Sequence, residues 1–181
     1  MSKDIKFISE RVSYRKTPEE LTIVITGKIE KSKETLLLTW LLAWSFCGIY
    51  IFIQLFLDYS REEKLYFIVF LSFWFFFEYK ILKAFRWRKW GKEYIRKSID
   101  LLTIKKSITD YAKADEYFIE NIKNLTFIEK NKTNFLNQLE NSFWVIGDDK
   151  ISFDYQGKTI CFGMQLTEKE VNSILKLLTN D

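Results

Sequence analysis

The fold class predicted by this sequence is a membrane α-helical hairpin joined to a small α+β domain, and three observations carry that expectation. Two apolar runs stand almost back to back in the first half of the chain. Short segments of alternating polarity crowd the second half. The chain then closes on an amphipathic stretch with a helix-start signature.

Of 181 residues, 48% are hydrophobic and 18% aromatic, but the excess is concentrated in the two runs while the flanks are highly charged. The chain predicts three parts. Residues 1–34 carry the N-terminal strand or strands of a split domain, residues 35–90 the hairpin with spans at about 35–57 and 64–85, and residues 91–181 the rest of the domain.

In chain order, Ile5/Phe7 and Val12/Tyr14 alternate weakly before the single proline, Pro18. Leu21 to Ile29 is richer in β-branched residues and lacks a helical period, so a strand is expected there, paired to the sheet of residues 93–164. Thr35 to Leu57 runs 23 residues without a formal charge. At about 1.5 Å per residue such a helix crosses a hydrocarbon core of about 30 Å. A cleaved signal peptide is not expected, because the run is too long, lies too far into the chain, and ends without a small-x-small site.

The connection Asp58 to Lys64 is a short, nearly neutral turn. The second apolar run, Leu65 to Phe77, stays mainly apolar to Phe85. Three cations (Lys28, Lys31, Lys33) precede the hairpin, two lie between the spans, and eight follow from Lys80 to Lys97. The positive-inside bias therefore predicts both termini in the cytoplasm. Glu78 is the one acidic residue at apparent membrane depth. It reads either as a headgroup contact, with Lys80 and Lys83 snorkelling, or as an intramembrane polar clasp with Trp40 and Trp44, level with Thr39 and Ser45. Phe85 to Trp90 interleaves aromatics with cations. Trp87 and Trp90 are expected as interface anchors, and Lys83, Arg86, Arg88, Lys89, Lys92, Arg96 and Lys97 as a basic collar facing lipid or a partner, with Gly91 as the helix stop. Anionic lipid is the natural counter-charge here, and a nucleic acid polymer is not expected as a partner.

Beyond Gly91, Glu93 to Ile99 and Leu101 to Ile108 read as strands, with Leu102, Ile104 and Ile108 on one face. Phe118 to Ile122 reads as a helical turn or edge strand leading into Leu125 to Glu129. The asparagine-rich residues 130–141 read as a loop or frayed helix. Phe143 to Ile146, Ile151/Phe153/Tyr155 and Ile160/Phe162/Met164, punctuated by Gly147-Asp148-Asp149 and Gln156-Gly157, form a meander. Thr167 and Glu170 have capping-box spacing, and Val171, Ile174, Leu175 and Leu178 form a helical stripe suited to covering a sheet.

The chain has no His, no phosphate loop, no GxSxG elbow and no metal-ligand cluster, which excludes zinc sites and His-dependent triads. No catalytic residue, metal or cofactor is expected, and the reading is of a binding protein rather than an enzyme. Cys47 and Cys161 are expected as two free thiols.

Several segments support a family resemblance. Leu21-Thr22-Ile23-Val24-Ile25, Trp40-Leu41-Leu42-Ala43-Trp44 with Gly48, Trp87 to Trp90 followed by Gly91-Lys92-Glu93, and Phe118 to Leu125 resemble uncharacterised two-span bacterial membrane proteins in which a pleckstrin-homology-like (PH-like) cytoplasmic domain is split by the hairpin. The resemblance implies an antiparallel barrel or sheet of about six or seven strands capped by a C-terminal helix. It implies the bacterial inner membrane as location, and a binding, adaptor or scaffold role. Its partners would be the bilayer, anionic lipid, an acidic protein or further copies of the chain. A looser resemblance is to two-span anti-phage effectors whose β-domain senses a cyclic nucleotide.

Overall fold

The computed structural model describes residues 5–108, 112–128 and 146–179. Among the described residues, nine strands and three α-helices follow one another as β1 (Lys6–Phe7), β2 (Val12–Lys16), β3 (Leu21–Thr26), α1 (Lys31–Gln54), α2 (Arg61–Trp90), β4 (Lys92–Lys97), β5 (Leu101–Ser107), β6 (Asp115–Phe118), β7 (Ile122–Phe127), β8 (Asp149–Tyr155), β9 (Lys158–Met164) and α3 (Glu168–Thr179). A 3₁₀ turn, Ile119–Asn121, separates β6 from β7.

Strands β1 to β6 form one antiparallel sheet in sequence order, and β7 to β9 a second. The two helices are thus inserted between β3 and β4, which are neighbours in the first sheet. Their pairing is continuous from Leu21↔Lys97 to Thr26↔Lys92. One further bond, from the Gly27 N–H to the Gly91 carbonyl at 2.9 Å, carries the ladder to the base of the helices. The expected pairing of the N-terminal segment is therefore present, over Leu21–Thr26 rather than as far as Ile29. Alternation explains it: Leu21, Ile23 and Ile25 point into the core while Thr22, Val24 and Thr26 point out.

Helix α1 is 24 residues long and α2 is 30. Both are long and apolar enough to cross a membrane, and in their most apolar stretches 17% and 0% of the residues are buried. Helix α1 starts four residues before the expected first span and ends three short of it at Gln54, while α2 runs from three residues before the expected second span to five beyond it. The connection is tied by an unforeseen capping box. Ser60 Oγ accepts from the Glu63 N–H at 3.3 Å, and Glu63 Oε2 accepts from the Ser60 N–H at 2.9 Å.

Both sheets and α3 share one core. Val12, Ile23, Ile25 and Ile95 meet Ile151, Phe153 and Phe162, with Val171 and Ile174 of α3 closing one side. The capping box opening α3 is as expected, with the Glu170 N–H donating to Thr167 Oγ1 and the Thr167 N–H to Glu170 Oε2. At the β8–β9 turn Gln156 (φ 50°) and Gly157 (φ 77°) both adopt the left-handed conformation that a two-residue hairpin needs. The two sheets do not form a closed barrel; no strand ladder joins them among the described residues. The expected loop at 130–141, and Phe143 to Val145 of the expected strand, lie outside the described residues.

One ionic cluster bridges the sheets. Glu93 is wholly buried, and its carboxylate accepts from the Gly163 N–H at 3.2 Å and the Met164 N–H at 3.0 Å. Lys106, directly opposite Glu93 in the β4–β5 ladder, lies 3.6 Å from Glu93 Oε1 and donates to Asp149 at 2.7 Å. The side chain at 106 thus takes the inward place after Leu102 and Ile104, and the strand ends at Ser107, short of the Ile108 expected on that face. Gly163 has φ 79°, a conformation that lets successive N–H groups converge on one anion.

Burial pushes the Glu93 carboxyl up from its ordinary range, against the pull of Lys106 and the two N–H groups. For Lys106 burial works downward, but the Glu93 and Asp149 carboxylates hold it up. A raised carboxyl pKa gives stability that is full below the ordinary carboxylate range and lost as pH rises through the native value. Glu93→Gln should cost about 1–3 kcal/mol, because its side-chain NH2 group replaces an oxygen facing the Gly163 and Met164 N–H groups and can accept from neither. Thermal melts of both proteins across a pH series should show their difference largest in acid and narrowing as pH rises. A difference that widens with pH would contradict this assignment.

Candidate functional site

The helices meet the sheet at a joint built on close approach. The Gly91 N–H donates to the Trp87 carbonyl at 2.7 Å, ending α2, and Gly27 packs against the same carbonyl and the indole of Trp87. A Cβ at either glycine would overlap Trp87. Gly91 does stop the helix, but its φ of −65° is open to any residue; proximity to Trp87, not a left-handed cap, requires glycine.

This joint divides the expected collar. Trp87 is 5% exposed and Arg88 3%, so both are buried, and Trp87 packs on Gly27 and Gly91 where α2 meets β3 and β4. Trp90, by contrast, is 48% exposed. Lys83, Arg86 and Lys89 are exposed on the outer face of the same turns. The Lys89 ammonium sits over the rings of Phe85 and Trp90, with centroids 5.4 and 5.2 Å away.

The remaining three cations belong to β4. Lys92 and Arg96 project from the outer face of the sheet, Arg96 lying 3.5 Å from Glu20, which also pairs with Arg15 at 2.9 Å. Lys97 donates to the Leu178 carbonyl at 2.8 Å and so ties the end of α3 to the sheet. The collar is accordingly two sites and a structural tie. Helix-borne Lys83, Arg86 and Lys89 form one, strand-borne Lys92 and Arg96 the other.

Compared with known proteins, the chain matches no family model, no curated protein and no solved structure. Its function must be argued from geometry.

Deeper between the helices lies the second candidate. Ser45 Oγ is 2.6 Å from Glu78 Oε1 and 2.8 Å from the Leu41 carbonyl. The Trp74 indole N–H donates to the Trp44 carbonyl at 2.9 Å, and Gly48 lies flat against that ring, where a Cβ would overlap it. Glu78 therefore takes part in an interhelical clasp, but through Ser45 rather than through the indoles of Trp40 and Trp44. Those two rings stack at 6.2 Å along α1 instead. Glu78 Oε2 and Trp44 Nε1 are buried without hydrogen-bond partners among the described residues.

Nearer the joint, Leu37, Leu41 and Phe85 form a small apolar core of their own. Cys47 and Cys161 are free and exposed. Among the described residues no group of His, Cys, Asp or Glu is placed to hold a metal ion. Sequence reasoning named Ser45 among the donors level with Glu78, and it is the one that bonds there. It missed Gly27 and Trp74, whose roles arise only where the elements meet.

Interhelical hydrogen bonds at such depth are worth about 1 kcal/mol, whereas steric separation of packed helices costs more. Gly48→Leu should therefore weaken the helix pair more than Ser45→Ala. Disulfide trapping between Leu37→Cys and Phe85→Cys in a Cys47→Ser background reads this: efficient in the parent, slightly lower with Ser45→Ala, and lost with Gly48→Leu.

Proposed function

We propose that this chain is a two-pass membrane protein that binds rather than catalyses, presenting a PH-like cytoplasmic domain as an adaptor or scaffold at the membrane surface. The observation that carries this reading is the exposed apolar surface of the helix pair beside a basic rim. Phe46, Phe52, Phe56, Phe73, Phe75 and Phe76 all lie outward. In water each such ring would forgo about 1.5–3 kcal/mol of burial, which hydrocarbon supplies without any protein partner. Lys83, Arg86 and Lys89 stand where the pair ends, at the level of Trp90, and face anionic headgroups in the cytoplasmic leaflet. The short connection near Asp58 to Lys64 faces the opposite side.

Each juxtamembrane cation contributes about 1 kcal/mol beside an anionic surface, so three together select anionic over zwitterionic lipid. Spin-labelled phosphatidylglycerol and phosphatidylcholine, compared in bilayers holding the full chain, measure that selectivity. A preference of several-fold for the anionic label is expected, and the triple variant Lys83→Gln/Arg86→Gln/Lys89→Gln or high salt should abolish it. Equal motional restriction of both labels by the parent protein would sink the reading.

A further inference from the structure

Glu78 stands twelve residues before Trp90, so about 18 Å of helix separates it from the level at which α2 ends. The elements packed there offer it no counter-charge. Helix α1 carries no charged residue between Glu34 and Asp58, and its titratable side chains in that interval, Cys47 and Tyr50, are exposed. On α2 itself the nearest titratable groups are Tyr79, Lys80 and Lys83, all exposed, and the Lys80 ammonium sits over the Phe76 ring, 5.5 Å from its centroid. Among the described residues Glu78 has no ion pair, and its one hydrogen-bonded contact is Ser45.

The state of this carboxyl follows from the hydrogens around it. Three oxygens, Glu78 Oε1, Ser45 Oγ and the Leu41 carbonyl, stand in a row at 2.6 and 2.8 Å, each a full O–H···O distance. Two such contacts need two hydrogens. The Ser45 hydroxyl supplies one and the Leu41 carbonyl none, so the other belongs to Glu78. Ser45 then donates to the carbonyl one turn back, as helix serines do, and accepts from Glu78. A second observation points the same way. Glu78 Oε2 is buried without a partner among the described residues, and the Trp44 indole N–H, equally unpartnered, does not reach it. An orphaned oxygen costs far less on a neutral acid than on an ionised one.

We propose that Glu78 is an intramembrane proton-binding site, holding a hydrogen that it donates to Ser45 across the helix pair. Ionisable side chains at such depth are rare and mark proton or ion sites. Without that hydrogen Ser45 would have to turn its hydroxyl from Leu41 to Glu78, so occupancy of the site is coupled to the closed arrangement of α1 and α2. Apolar packing confines it. Leu37, Leu41 and Phe85 lie toward the joint, and the Trp74 ring against Gly48 lies one turn deeper. The lipid surroundings rest on the two-pass reading above, whereas the hydrogens between Glu78, Ser45 and Leu41 do not depend on it.

Polarised infrared spectroscopy of the full chain in oriented bilayers of diether phosphatidylcholine, a lipid without ester carbonyls, tests this in neutral buffer. Amide dichroism reports whether the helices cross the bilayer. The carbonyl stretch of a protonated acid, which a carboxylate lacks, reports the hydrogen. The difference between the parent and Glu78→Gln should show that band with the strength of a single carboxyl group, while every other carboxyl, Glu93 included, cancels in the subtraction. In Ser45→Ala the band should persist but be displaced, because the acid's hydrogen has lost its acceptor. Transbilayer helices without a band that vanishes in Glu78→Gln, or a band that Ser45→Ala leaves in place, overturn the proposal. Helices lying flat with the band present would remove the two-pass reading and keep the proton site.

Discussion

The antiparallel pairing of β3 with β4 is the constraint from which the rest of this structure follows. Two neighbouring strands with a register continuous from Leu21↔Lys97 to Thr26↔Lys92 must bring residues 26 and 92 side by side. Whatever lies between them has to leave and return at one place. A pair of antiparallel helices does this, at about 36 and 45 Å for their 24 and 30 residues. The Gly27 to Gly91 bond and the Trp87 packing then leave almost no slack at the exit. Any tilt of α2 relative to α1 is felt by the first residues of β4, where Lys92 and Glu93 face opposite sides of the sheet.

Those two residues lead to different ends. Outward, Lys92 shares a face of β4 with Tyr94 and Arg96. Inward, Glu93 reaches the Gly163 and Met164 N–H groups and so links the sheet that carries the helices to the sheet that carries the meander. Replacing a buried ionic cluster with apolar groups is often neutral or stabilising, so this one is best understood as fixing how the sheets align rather than as a large source of stability. With the core held by Phe153, Phe162 and α3, the outer face of the first sheet and the helix-borne cations lie away from it.

The elements legible in the sequence were those whose pattern is set by one partner. Charge-free length marked α1 and α2, β-branched content marked β3, period-two alternation marked β8 and β9, and Thr167 with Glu170 marked the start of α3. Errors arose where two elements compete for one residue. Trp87 and Arg88 carry an interfacial composition, yet both are buried, and Trp87 is the residue on which Gly27 and Gly91 pack where α2 meets β3 and β4. Lys106 reads as a solvated charge until the register places Glu93 opposite it and Asp149 beyond. Glu78 was marked as an oddity by its depth, while its partner Ser45 depends on how the helices rotate against each other. No local pattern encodes that rotation.

The split of the domain by the helix pair is tested most directly by hydrogen exchange of the full chain in nanodiscs, read residue by residue across β3. Ladder amides in Leu21–Thr26 should be protected as strongly as those in Lys92–Lys97 and should lose protection together with them in denaturant, because both belong to one cooperative sheet. Exchange of residues 21–26 at the rate of an unstructured peptide, while Lys92–Lys97 and Asp149–Tyr155 stay protected, would show that the helices are not inserted within the sheet.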